Sequence, residues 1–255
     1  MEAIKVLIRV RPVFHNGNGS DNNTRTVVQI SSDDKSISID THRQIQCKYN
    51  HIFGPKATQE EVYEHTKYCV DAALQGYNAT IFAYGQTGSG KSHTMFGMDG
   101  GISANPGIVP RCIRDIFRGL NSVEGGSSVH VSFLQVYNEQ VFDMFDKRMK
   151  PLMIHEKNGS IVVAKLMQYR VHNLEQCLAL IDVGLKSRSI RETTMNHASS
   201  RSHSILQIVV EQSCIQESKK LCSKLNLVDL AGSERWGVCD MGDEQIEELT
   251  NINSR

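Results

Sequence analysis

The eight residues Gly85-Gln86-Thr87-Gly88-Ser89-Gly90-Lys91-Ser92 constrain this chain more than any other stretch. They fit the pattern G-x-x-x-x-G-K-[ST], in which glycines let successive backbone N–H groups wrap a phosphate chain without side-chain clash. In that arrangement Lys91 sets a point charge beside the terminal phosphates, and the Ser92 hydroxyl becomes a Mg²⁺ ligand. A helix starting there adds its positive end. The chemistry needs a strand before the loop and a helix after it, and the flanks carry both signals. Residues 79–84 form a short apolar run bounded by glycine-rich sequence, which suits a buried parallel strand, and helical sequence follows the lysine.

The rest of the chain alternates strand and helix patterns. Residues 4–10 place Ile4, Val6, Ile8 and Val10 on one side and Lys5 and Arg9 on the other, a strand period that Pro12 ends. Residues 15–24 are a polar, Gly/Asn-rich loop. Thr58 with Glu61 has the capping-box spacing. Val62, Thr66, Cys69/Val70 and Ala73/Leu74 then recur at helical intervals until Gly76, predicting one helix. Residues 129–137 and 204–210 read as strands. Residues 173–190 read as a helix with Leu174, Cys177/Leu178, Ile181 and Leu185 on one face, and residues 224–229 as a short strand ending in a carboxylate. The glycine-rich segment 97–107 reads as a surface loop. Such interleaving predicts an α/β layered fold around a central sheet.

Composition excludes several classes. Lys and Arg together number 28, equal to Asp and Glu, so there is no overall basic charge to argue for nucleic acid. Seven cysteines, an odd number with no CxxC pair, speak against a disulfide scaffold or a cysteine-rich zinc site and for reduced thiols. Charges interrupt the first dozen residues, and no apolar run approaches the ~20 residues of a membrane span. A soluble, intracellular protein is expected.

Two further stretches complement the phosphate loop. In Asp229-Leu230-Ala231-Gly232-Ser233-Glu234, an apolar strand delivers Asp229 to its carboxyl end, where parallel sheets bind ligands. That carboxylate can hold a Mg²⁺-bound water, and the Gly232 N–H can meet a γ-phosphate. In Asn196-His197-Ala198-Ser199-Ser200-Arg201-Ser202-His203, hydroxyls, a guanidinium and an amide are dense enough to bind Mg²⁺ and steady a water. Read alone, it is equally a serine-rich loop with local hydrogen bonds.

Together these motifs resemble the kinesin motor domain. Arg9-Val10-Arg11-Pro12 is similar to the family's RxRP, GQTGSGKS to its P-loop, NHASSRSH to its switch I and DLAGSE to its switch II, in the same order. Residues 49–54, 107–111 and 132–142 also resemble family stretches. The resemblance implies a P-loop NTPase fold: a central, mostly parallel twisted sheet with helices on both faces. It implies ATP/ADP and Mg²⁺ as ligands, ATP hydrolysis as the activity and the microtubule as partner, in the cytoplasm on the cytoskeleton. Arg9, Arg11 and Pro12 would frame the adenine with His93. Ser92 and Ser200 would hold Mg²⁺, with Asp229 reaching it through water. Arg201 and Glu234 would close the switches as a salt bridge, Ser199 and Glu234 would orient the lytic water, Gly232 would sense the γ-phosphate and Asn196 would support them.

Two departures qualify what the resemblance implies. By the resemblance, residues 1–255 are expected to be a motor domain cut at the start of its relay helix, ahead of the family's main microtubule-binding helices and neck. Residues 229–255 hold seven acidic and two basic residues, a local charge of −5 that opposes an acidic filament. Weak or absent microtubule binding is therefore expected, with Lys157 and Lys165 flanking what resembles the tubulin-contacting hairpin. The alternative to a motor is a non-motile nucleotide-binding regulatory or structural module.

Overall fold

The structure is a computed structural model that describes residues 4–12, 28–39, 45–97, 105–121, 126–148, 150–194, 201–214 and 219–234. The chain divides into two compact units, Met1–Val62 and Tyr63–Arg255.

In the first unit, β1 (Leu7–Arg9) runs parallel to a later strand, and three others form an antiparallel meander: β2 (Val28–Ile30), β3 (Ser36–Ile39) and β4 (Ile45–Lys48). The partner of β1 is β5 (His51–Phe53), paired Leu7 to His51 through Arg9 to Phe53. The strand expected over residues 4–10 is shorter because its ladder lasts only as long as β5. Ile4 and Val6 lie outside it and are exposed. The polar loop expected at 15–24 falls outside the described residues.

Helix α1 (Gln59–Glu64) starts with the expected capping box: Glu61 N–H donates to the Thr58 hydroxyl, and Thr58 N–H donates to Glu61 at 2.6 Å. The single helix expected up to Gly76 is two helices. The second is α2 (Tyr68–Leu74). Between them the backbone tightens: Cys69 N–H donates to the Thr66 carbonyl at 3.0 Å and Val70 N–H to the Lys67 carbonyl at 2.8 Å, each three residues back, while the Thr66 hydroxyl donates to the Tyr63 carbonyl at 2.9 Å.

The second unit is built on β6 (Ala79–Ala83), followed by α3 (Lys91–Phe96) and α4 (Ile108–Leu120). Then come β7 (Ser127–Tyr137), β8 (Gln140–Asp143), β9 (Pro151–Leu152) and the hairpin β10 (Ile154–Lys157) with β11 (Ser160–Val163). Last are β12 (Tyr169–Val171), α5 (Leu174–Thr194), β13 (His203–Cys214) and β14 (Lys219–Asp229). The main sheet has the order β6-β14-β13-β7-β8-β9, with β12 beside β7.

Among the described residues, only β6 and β14 pair in parallel in this sheet; the other pairings are antiparallel. The sheet is therefore mixed, and the expectation of a mostly parallel sheet is corrected on this point. The cause is connectivity. β13 and β14 pair as a hairpin along their whole length, from Ser204 with Asp229 to Cys214 with Lys219. Their outer halves are polar, so the apolar runs at 204–210 and 224–229 suggest two separate short strands.

Alternate residues of the central strands face the helices. Phe133 on β7, Leu206 and Ile208 on β13, and Leu225 and Leu227 on β14 are at most 1% exposed. Each such side chain contributes about 1.5–3 kcal/mol of burial. Helices reach this same face: α2 through its Ala73 carbonyl, which accepts from Ser223, and α5 through Arg188, which donates to Asp229. The opposite face near β6 carries Thr80 hydrogen-bonded to Asn226, and Phe82, 59% exposed. Among the described residues, helices thus meet the sheet on one face of the two expected.

Candidate nucleotide site

The parallel pair β6 and β14 ends with Ala83 level with Asp229. Both chains leave the sheet at this edge, so the glycine-rich loop 85–90 and the segment 230–234 emerge side by side. Two backbone bonds stitch them: Leu230 N–H to the Ala83 carbonyl at 3.3 Å, and Ser233 N–H to the Gly85 carbonyl at 3.2 Å. Gly90 turns the loop into α3 with φ 101°, a left-handed conformation that glycine adopts without steric cost.

Lys91 bends back over its own loop, donating to the carbonyls of Gly85 at 2.8 Å and Gln86 at 3.0 Å. Burial lowers its ammonium pKa, while Asp229 and Glu234 nearby pull the other way and Arg188 adds to the lowering. The ammonium is thus held by two carbonyls of its own loop, within the electrostatic reach of Asp229 and Glu234.

Ser92 donates to Asp229 Oδ2 at 2.6 Å, bringing together residues 137 apart in sequence. Asp229 is 1% exposed, and its other oxygen, Oδ1, is buried with no hydrogen-bond partner. A hydroxyl beside a carboxylate with a spare oxygen is a hard-oxygen set that fits Mg²⁺, which takes few protein ligands and the rest from water and phosphates. No cluster of three or more His, Cys, Asp or Glu suited to a metal occurs among the described residues.

Arg188 on α5 is the site residue that sequence reasoning missed. It is nearly buried and donates to Asp229 Oδ2 at 2.8 Å and to the Ser204 hydroxyl at 3.4 Å. Nothing in its neighbourhood resembles a motif. The only signal available is a charged residue three positions after Leu185, close to the apolar stripe of the helix.

Glu234 and Gly232 close the other side. Thr87 N–H donates to Glu234 Oε2 at 2.7 Å, and the Thr87 hydroxyl also binds this carboxylate. Burial alone would raise the Glu234 carboxyl, but the two Thr87 hydrogen bonds outweigh it and hold it below the usual range. A Cβ at Gly232 would collide with both the Glu234 carboxylate and the Thr87 hydroxyl, so a larger residue there would displace the pair. The expected Arg201–Glu234 salt bridge is not formed here. Glu234 faces Thr87, and Arg201 sits at the turn before β13 with a half-buried side chain.

Of the remaining expected residues, Gly85, Gln86, Thr87, Gly88, Ser89 and Gly90 form the loop and His93 lies in α3. Asn196, Ser199 and Ser200 fall outside the described residues. Arg9 belongs to the first unit, where it donates to Gln59 at 2.7 Å and to the Ala57 carbonyl at 3.3 Å; Arg11 and Pro12 are exposed there.

The family model for the kinesin motor domain matches residues 9–255. The chain is 38% identical over 256 residues to a kinesin heavy chain of Caenorhabditis elegans, covering 98% of this chain and 30% of that protein. It is 37% identical to the kinesin heavy chain of Drosophila melanogaster, with 99% and 26% covered. With the kinesin-like protein KIN-8B of Arabidopsis thaliana it shares 34%, covering 98% and 32%. The chain thus spans about a quarter to a third of the length of these relatives. Among solved structures, a fast kinesin superposes with a TM-score of 0.86 at 32% identity, covering 98% of this chain and 71% of that one. The motor and motor homology domain of Kar3Vik1 gives 0.83 at 28%, covering 98% and 66%. On the match of the family model across almost its whole length, the chain belongs to the kinesin motor-domain family.

Proposed function

We propose that this chain binds ATP with Mg²⁺ and hydrolyses it, as the nucleotide-driven part of a microtubule motor. The observation that carries the reading is the convergence of Lys91, Ser92 and Asp229 at the carboxyl ends of β6 and β14, with one buried Asp229 oxygen unused. Phosphates entering the loop would draw Lys91 off the Gly85 and Gln86 carbonyls. Ser92 and Ser200 would hold the metal, with Asp229 behind a water, and a bound Mg²⁺ would neutralise charge on the β- and γ-phosphates.

Hydrolysis would then be a matter of positioning and electrostatics. Glu234 would leave Thr87 to pair with Arg201, and with Ser199 it would orient the attacking water, supported by Asn196. Gly232 N–H would register the γ-phosphate. Arg9, Arg11, Pro12 and His93 are assigned to the base from their motifs alone. Release of phosphate would reset the two segments, a two-state device of the order–disorder kind.

The filament would be met by the β10–β11 hairpin, where Ile154, Ile161 and Val162 are exposed, with Lys157 at the end of β10 and Lys165 just past β11. Two lysines against a terminal charge of −5 make that contact weak in this chain. Calorimetric titration with Mg-ATP tests the nucleotide reading. Lys91→Ala should lose most of the affinity, because it deletes the point charge of the loop. Equal affinity in the two proteins, both folded by circular dichroism, would remove the assignment.

A further inference from the structure

We propose that His203 is a positioning residue that aims the Gly232 amide at the γ-phosphate. The proposal rests on the reading of this site as an ATP site. In the segment after β14, Leu230 N–H is bound to the Ala83 carbonyl and Ser233 N–H to the Gly85 carbonyl. Ala231 N–H donates to His203 Nδ1 at 3.1 Å. The N–H of Gly232 is therefore the one amide of residues 230–233 without a hydrogen bond among the described residues. Three fixed peptides surround one amide left open, beside the carboxylate of Glu234 and the Thr87 hydroxyl.

His203 is the only one of these three anchors that comes from outside the β6 edge and its loop. It starts β13, opposite Val136 of β7. Its neighbour Ser202 is fully buried and accepts from Gln135 Nε2 at 2.8 Å, and Gln135 is itself 1% exposed. The imidazole is therefore mounted on the middle of the sheet, and it acts one peptide ahead of the open amide. To accept from Ala231, Nδ1 must be unprotonated, which places the ring proton on Nε2. Without that acceptor the Leu230–Ala231 peptide is free to rotate, and the Gly232 N–H loses its direction. Nucleotides with a γ-phosphate should suffer, whereas ADP, which does not reach this amide, should not.

The test compares the affinities of the 255-residue chain for a non-hydrolysable ATP analogue and for ADP, both with Mg²⁺. His203→Phe keeps a ring but has no acceptor, and should cut the preference for the ATP analogue about tenfold, the usual weight of a hydrogen bond to a charged group. ADP affinity should stay within about twofold. His203→Asn carries a carbonyl oxygen near the position of Nδ1 and should restore most of the preference. An unchanged preference in His203→Phe, or an equal loss for both nucleotides, would overturn the proposal. A parent chain that binds neither nucleotide would instead overturn the ATP reading itself, and the role of His203 with it. Should His203→Phe fail to fold, long-range ¹H–¹⁵N correlation of the unsubstituted chain decides: a proton on Nε2 supports the proposal, and one on Nδ1 overturns it.

Discussion

Asp143 at the end of β8 and Asp229 at the end of β14 are 2% and 1% exposed, yet their oxygens are used in different ways. Asp143 accepts Phe145 N–H on Oδ1 at 2.8 Å and Met167 N–H on Oδ2 at 2.7 Å. Each oxygen has a backbone donor, and together they tie the exit of β8 to the approach to β12. Asp229 crowds Ser92 and Arg188 onto Oδ2 and leaves Oδ1 buried without a partner. Buried polar atoms are nearly always satisfied, and the exceptions call for an explanation. A carboxylate that serves the fold is complete within the fold. One that serves a ligand keeps something in reserve.

The largest expected effect comes from removing the incomplete member. Asp229→Ala leaves the Arg188 guanidinium buried without its carboxylate, which should cost about 3–5 kcal/mol of stability by urea denaturation. Mg²⁺ should also lose its influence on nucleotide affinity, measured by titration with and without a chelator. If nucleotide affinity remains as metal-dependent as in the parent, Asp229 is a second structural aspartate and the contrast disappears.

Glu234 sharpens the contrast from the other side, since its carboxylate is engaged but by a loop that must later rearrange. Glu234→Ala should keep ATP affinity within about tenfold while single-turnover hydrolysis falls ~10²-fold, the scale of losing a positioned proton-handling group. Hydrolysis at the parent rate would sink its catalytic assignment.

Asp143→Asn should be milder. An amide can accept one N–H but turns its own NH₂ towards the other, for a cost of about 1–3 kcal/mol. Nucleotide affinity should not move. A tenfold shift in that affinity would show that the two aspartates are coupled after all.

The smallest effect concerns pH. The Glu234 carboxyl is lowered, so its contribution is present above the unfolded value and is lost as pH falls through the folded one. The Thr87 amide signal should therefore titrate with a midpoint below the ordinary Glu value of about 4.3. A midpoint above that value would mean that burial wins over the Thr87 bonds.

Short-range chemistry was readable in advance. The Thr58–Glu61 box and the strand–loop–helix context of Lys91 hold as expected, because their partners lie a few residues apart. The break between α1 and α2 was hidden, since the Thr66 turn leaves the apolar spacing intact on both sides. The mixed sheet was hidden too. The polar outer halves of β13 and β14 have no apolar run to reveal that they form one long hairpin. Arg188 had no motif at all, and its role follows only from α5 lying over the end of β14.

By itself, then, the order of residues determined the strand, loop and helix around Lys91 and the chemical inventory of the site: a loop that glycine lets wrap phosphate, a lysine, a hydroxyl and a carboxylate on a strand end. Backbone sterics and contacts three or four residues long act wherever the chain goes, so they are written locally. Tertiary structure alone decided that Ser92 meets Asp229 across 137 residues, that Glu234 rests on Thr87 across 147, and that Arg188 completes the cluster. Those pairings depend on β6 and β14 lying side by side, and strand order is set by the burial of the whole sheet rather than by any stretch of it.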